Sequence, residues 1–326
     1  MTQIILIVSI DVECDKGPNW AIKKPLSFLN VIKGIPCHLQ PLFDAFAIKP
    51  TYLLSPEVLT NDESTKLFRS LRNKVGLGVH MHGEFIEPYS KCDAERTEAF
   101  LNDFSIRVEF QKISNQTKLF SEKLSFNPTS FRAGRFALSR YTLFFLEKLG
   151  YLVDSSVTPF NWWCHRKGKG VNFLGAANQP YFPSFDDFRK RGKMSILEVP
   201  VGIVNPFWEK FPSFLLRKIN PLNRIETILL NAFLKDRLRS LWLRPTYSTV
   251  EQMIFVTKRI VKMNRTDKPI LNMMFHSNEA MAGTSPYNKT ENDVINFLDR
   301  LRDYFTSIFI KFDVQSITLS EIVKII

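Results

Sequence analysis

The run IILIVSI at 4–10 constrains the fold more than any other stretch of the chain. A strand with one face in water alternates apolar and polar residues. A continuous β-branched run belongs instead to a strand buried on both faces, as in a parallel sheet covered by helices. Further strand-like segments follow at 50–54, 75–79, 129–131, 151–153, 195–201, 270–275 and 308–312. Helix-like segments alternate with them. Residues 93–124 place Phe100, Phe104, Val108, Ile113, Phe120 and Leu124 roughly on one stripe. Residues 139–149 form a helix that Gly150 closes, and two more helices are expected at 249–263 and 290–307. Such alternation predicts parallel strands with helical crossovers, and about eight units favour a barrel over an open sheet. At 326 residues and 44% apolar composition, the chain can bury the core of one α/β barrel domain spanning 1–326.

In such a barrel the working groups sit at the C-terminal ends of strands. Asp11, His80, Asp154 and His276 each stand where an expected strand ends. In SIDVEC at 9–14, Asp11 and Glu13 lie two apart, so both carboxylates face one site. Burying two anions together is costly unless a cation or proton neutralises them, and a divalent metal would do so. The alternative is a pair of solvated strand-end carboxylates. In GLGVHMHGEF at 76–85, His80 and His82 repeat the same spacing, and Glu84 continues it. Two imidazoles on one face can bind one metal through their ring nitrogens. The chain has only five histidines, which favours a ligand role for this pair over a packing role.

Three more motifs belong to the same set of strand ends. FRAGRF at 131–136 offers Arg132, able to hold a carboxylate ionised, and Gly134, which permits close approach. YLVDSSVTP at 151–159 delivers Asp154 into a loop of small hydroxyl residues; a capping role and a site role are both open. MMFHSNEAMAGTSPY at 273–287 ends a strand in His276 with Glu279 nearby, a candidate general acid.

Taken in order, these blocks resemble the NodB-homology polysaccharide deacetylases, carbohydrate esterase family 4. The likeness is to the WalW-like branch associated with lipopolysaccharide and surface-polysaccharide biosynthesis. The resemblance implies a distorted (β/α) barrel and metal-dependent removal of an acetyl group from an N-acetylated sugar. It implies that Asp11 is the base, Glu13 and His80 are metal ligands, Arg132 tethers the base and His276 protonates the leaving amine. Glu13 is shifted by one place from the family's adjacent pair of aspartates. Where the family has a second histidine four residues after His80, this chain has Glu84; His82 is the preferred third ligand and Glu84 its rival. Asp154, Arg135 and Glu279 are expected to contact substrate. The expected cofactor is one divalent ion, zinc before cobalt, nickel or manganese.

Charge bears on partners. The formal net charge is +12, which fits nucleic acid, an anionic membrane or an anionic glycan. No zinc-finger spacing, aromatic single-strand motif or dense Lys/Arg run supports nucleic acid. The segment at about 205–247 interrupts the alternation with eight Lys/Arg against three Asp/Glu, interleaved with Trp208, Phe211, Phe214, Leu215, Trp242 and Leu243. It reads either as a basic helical insertion packed on the barrel, with a solvated face, or as a peripheral contact with an anionic membrane. The first residues lack a basic stretch and a small-residue cleavage site, and no apolar run reaches the ~18 residues of a membrane span. Cys14, Cys37, Cys92 and Cys164 form no CxxC pair. A cytoplasmic protein acting on a glycan or lipid-linked sugar is the expectation.

Overall fold

The computed structural model describes residues 1–90, 100–164, 170–223, 225, 226, 228, 239–264 and 268–326. Twelve strands occur among them: β1 Gln3–Val12, β2 Pro50–Leu54, β3 Gly76–Met81, β4 Ser130–Ala133, β5 Val153–Asp154, β6 Trp162–Cys164, β7 Gly170–Asn172, β8 Leu197–Glu198, β9 Ile203–Val204, β10 Leu241–Trp242, β11 Ile270–His276 and β12 Asp313–Ser316. Eight form one parallel sheet in the order β11-β1-β2-β3-β4-β5-β8, with β12 also on β1. The other four form two antiparallel pairs, β6–β7 and β9–β10.

β1 is central because the run at 4–8 is apolar on both faces, and every position from Ile4 to Val12 is buried. Its ten residues are long enough to serve two partners on one edge. β12 pairs with Gln3–Leu6 and β2 with Val8–Val12, while β11 runs along the other edge. The sheet curls into a barrel that no ladder closes among the described residues. The gap between β8 and β11 is bridged instead by single bonds: Gly202 N–H donates to Asn272 O (2.8 Å), and Asn272 Nδ2 donates to Val199 O (3.1 Å). This is the barrel expected from the alternation, distorted as the resemblance implied.

Two elements differ from the sequence reading. The long helix expected at 93–124 begins at Ile106, because Ser105 caps it by accepting from Val108 N–H, and 101–103 is a separate single turn. Residues 93–99 lie outside the described residues. The strand expected at 308–312 is the end of the helix Glu291–Lys311; Ile308 continues the buried stripe of Leu301, Tyr304 and Phe305, and the strand follows as β12.

Within the segment at 205–247, the described residues 225, 226 and 228 are helical. The segment is flanked by the β9–β10 pair and holds a turn at Trp208–Lys210 and the four-residue helix Ser213–Leu216. Trp208, Trp242, Leu243 and Arg244 are buried, whereas Phe211, Phe214 and Leu215 are exposed. No helix among the described residues is long and apolar enough to cross a membrane.

Candidate metal centre

The C-terminal ends of β1, β3, β4 and β11 meet at one place. Register puts Asp11 beside His276 and His80 beside Arg132. Glu13 follows the last residue of β1, two positions after Asp11, and His82 follows β3. The alternation of side chains along a strand therefore sends Asp11 with Glu13, and His80 with His82, toward a common point.

Three ligand atoms converge there. Glu13 Oε1 lies 3.2 Å from His80 Nε2 and 3.1 Å from His82 Nε2, and the two Nε2 atoms are 3.0 Å apart. All three residues are buried. The outer ring nitrogens are engaged elsewhere: His80 Nδ1 bonds Arg132 O (3.2 Å), and His82 Nδ1 bonds Glu84 Oε1 (3.2 Å). These partners are acceptors, so each ring carries its proton on Nδ1 and turns a bare Nε2 inward. Two lone pairs and a carboxylate oxygen facing one another at such distances require a cation or a proton between them. The separations are close to the edge of a tetrahedron with bonds of about 2.0–2.1 Å. The donor set of two imidazoles and a carboxylate suits a zinc-like ion.

The structure brings His82, not Glu84, to this cluster. Glu84 stands behind His82 and pairs with Arg135 Nη2 at 2.7 Å. Burial by itself would raise the Glu84 carboxyl, but Arg135 and His82 hold it well below the usual range. The His82 imidazole is disfavoured as a cation by burial, yet Glu13 and Glu84 lift it to about 9 when a proton fills the place between the rings.

The argument that two buried carboxylates by themselves demand a metal does not hold. Each carboxylate around the site has its own cationic side chain. Asp11 Oδ1 meets Arg132 Nη1 at 2.8 Å, Glu13 Oε2 meets Lys16 Nζ at 3.1 Å, and Glu279 Oε1 meets Arg244 Nη2 at 2.6 Å. Against the cost of burial, Arg132 with His80 and His276 keeps Asp11 below the usual carboxylate range. His82 with Lys16 does the same for Glu13, more strongly. The paired imidazoles, rather than the paired carboxylates, carry the case for a metal.

His276 completes the ring. Its Nε2 is 3.8 Å from Glu13 Oε1 and 4.0 Å from Asp11 Oδ2, while Nδ1 is 3.2 Å from Glu279 Oε1. Trp20 packs on the imidazole with ring centroids 4.7 Å apart. The site opens into a cavity of about 330 Å³, lined by Asp11, Glu13, His80, His82 and His276. Trp20, Phe100, Phe136, Trp163, Tyr247 and Tyr287 form its aromatic walls. Arg135 and Phe136 adopt left-handed backbone conformations with φ of 55° on that wall. Such strain is tolerated where surrounding structure over-determines a residue, and it gathers at binding sites.

Gly134 has a specific role. A Cβ there would sit 2.7 Å from Met81 O and 3.0 Å from His82 Nε2. Its absence lets the His82 ring take its place.

Of the three expected substrate contacts, Arg135 alone lines the cavity. Glu279 is wholly buried and holds His276 and Arg244. Asp154 is also wholly buried; it accepts from Ser156 Oγ and pairs across the ladder with Glu198, so it has no surface to offer a substrate. Lys16 and Arg244 escape sequence reasoning. Arg244 sits within a basic stretch, and the only local cue to its burial is the apolar Trp242–Leu243 pair that precedes it.

No protein-family model matches the sequence, and no curated protein matches it. Solved structures do. A "putative polysaccharide deacetylase" from Mycobacterium smegmatis superposes with a TM-score of 0.55 at 13% identity, over 99% of this chain and 90% of that one. Puue allantoinase gives 0.54 at 13% identity, over 98% and 89%. A 4-alpha-glucanotransferase from Thermococcus litoralis gives 0.53 at 13% identity, over 99% of this chain but 40% of the other. At such identities the likeness establishes the fold, which hosts different activities.

Proposed function

We propose that the chain is a divalent-metal-dependent hydrolase that removes an acetyl group from an N-acetylated sugar. The carrying observation is the convergence of His80 Nε2, His82 Nε2 and Glu13 Oε1 within 3.0–3.2 Å of one another, each imidazole proton being drawn to the far side. The deacetylase description of the Mycobacterium smegmatis protein supports the same reading. Glu13, His80 and His82 would hold the ion, zinc before cobalt, nickel or manganese. A bound ion supplies Lewis acidity toward a substrate carbonyl. Asp11, held ionised by Arg132, stands ready to take a proton from attacking water. His276, oriented through Nδ1 by Glu279, presents Nε2 to the cavity to protonate the departing amine. The aromatic walls exclude bulk water and offer faces to a sugar ring.

The finer reading is a surface glycan or its lipid-linked precursor as substrate. Exposed Phe211, Phe214 and Leu215 beside Lys210 and Lys218 support contact with an anionic membrane. Binding to anionic vesicles at low salt tests that half; indifference to them ends it.

A second reading is a catalytically silent carbohydrate-binding protein. It is favoured by the one-to-one pairing of buried carboxylates with Arg132, Lys16, Arg135 and Arg244, which balances their charge without a metal. Acetate release from N-acetylated glycans, with metal added and then chelated, separates the two. A rate indifferent to chelator overturns the metal mechanism, and no release from any such glycan favours the silent binder.

A further inference from the structure

Lys16 is a cation set against a metal ligand, an arrangement that opposes the binding of an ion. Its Nζ lies 3.1 Å from Glu13 Oε2, and both side chains are buried. Oε1 of the same carboxylate faces His80 and His82. The two oxygens of Glu13 are thus divided, one for the imidazoles and one for the lysine.

The lysine is held in place from both sides. Its neighbour Asp15 accepts from the backbone N–H groups of Leu29 and Asn30, each at 3.0 Å. Asn30 Nδ2 in turn donates to Glu13 O at 2.9 Å. Lys16 N–H donates to Thr284 O at 2.9 Å, and the ammonium stands 5.3 Å from the centroid of the Phe85 ring. Glu57, also buried, adds a second negative charge near the same ammonium.

An ordinary outer-shell partner accepts a proton from a ligating histidine and strengthens the site. Losing one weakens metal binding about 10–100-fold. Lys16 has the opposite sign. A fixed positive charge near a bound cation repels it, and a buried pair is little screened. Its hydrogen bond also competes with the ion for the carboxylate. The same contact cancels the charge of Glu13. With both imidazoles protonated at Nδ1 alone, Glu13, Lys16 and the two rings sum to zero. An ion held by a set without net charge keeps its full pull on a substrate carbonyl.

We propose that Lys16 is a positioning residue of the metal site: it holds the outer oxygen of Glu13, leaves Oε1 as the ligand atom, and lowers affinity for the ion while preserving its Lewis acidity. The inference rests on the metal reading above and goes beyond it in assigning the lysine a role that opposes binding.

The test is zinc titration of the metal-stripped full chain in competition with a chelator of known affinity. Lys16→Met should bind zinc about tenfold or more tighter than the wild type, and zinc should raise its melting temperature by more. Without the ammonium, the metal-free protein buries Glu13 near Glu57 with no lysine between them, and an added ion restores the balance. Lys16→Gln keeps a donor for Oε2 but not the charge, and it should also bind zinc tighter. It carries the comparison where Lys16→Met does not fold. Lys16→Arg restores the charge and should return to the wild-type affinity. With cobalt in place of zinc, the visible absorption of Lys16→Met should change as Oε2 becomes a ligand, whereas Lys16→Gln should keep the wild-type spectrum. Zinc affinity unchanged or weaker in both Lys16→Met and Lys16→Gln overturns the proposal and leaves the metal site standing. A cobalt spectrum unchanged in Lys16→Met overturns the positioning role. A wild type that binds no zinc ends the metal reading, and the proposal with it.

Discussion

Asp11 and Glu13 are buried nearly as deeply as Asp154 and Glu198, yet their surroundings shift the two pairs in opposite directions. Asp11 and Glu13 are each matched to a cation and to imidazoles, and both stay ionised. Asp154 and Glu198 are ladder partners on β5 and β8. Burial, reinforced by the neighbouring Asp154 carboxyl, pushes Glu198 well above the usual range, and burial raises Asp154 as well. Glu198 Oε2 has no hydrogen-bond donor among the described residues. Arg132 stands near both pairs but bonds Asp11, Ser9 and Ser155, not Asp154. Depth alone therefore does not mark a working carboxylate. A carboxylate kept ionised beside a cavity does, whereas one pushed toward its neutral form by burial belongs to the scaffold.

The comparison breaks most visibly if His80 is removed. His80→Ala should reduce metal from about one ion per chain to a small fraction and abolish acetate release. Elemental analysis decides; metal retained in this variant rejects the ligand set. Arg132→Met should be next in size. It leaves Asp11 buried without its counter-ion, and breaking a buried pair in that way costs about 3–5 kcal/mol. Urea unfolding measures the loss, and a cost under about 1 kcal/mol would mean that Arg132 is not what keeps Asp11 ionised. Gly134→Ala pushes a methyl toward His82 Nε2 and should weaken metal binding by about 10–100-fold, comparable with losing an outer-shell partner. Unaltered affinity would mean that His82 is free to move.

The smallest effect tests the scaffold pair. A carboxyl whose folded pKa is raised stabilises the native state fully below its unfolded pKa. That advantage is lost as pH rises from the unfolded value, 4.5 for Glu198, toward the folded one. Glu198→Gln keeps an acceptor for Val157 N–H and donates permanently to Asp154. Its stability should fall less between pH 5 and pH 8 than that of the wild type. Parallel stability curves would show that Glu198 carries no proton in the native protein.

Much of the barrel could be read from local pattern. The run at 4–10, the strand at 50–54 and the capped helix at 249–263 match the structure within a few residues, because an apolar run and a capping box act over short distances. The end of the helix Glu291–Lys311 could not be separated from a strand, since apolar residues at 308–310 fit both periods until the packing of Leu301 and Tyr304 is known. Lys16 could not be placed at all: only the fold turns its amine onto Glu13.

By itself the sequence determined that parallel strands would bring Asp11, Glu13, His80, His82 and His276 to strand ends, because side-chain parity and strand termini are local properties. Tertiary structure decided what each group could do there. It chose His82 over Glu84 by setting a glycine beside one ring and an arginine beside the other carboxylate. It sealed Asp154 against Glu198, and it brought Arg244 from a basic stretch to the back of His276. Charge state and access depend on neighbours far away in the chain, and no local pattern encodes them.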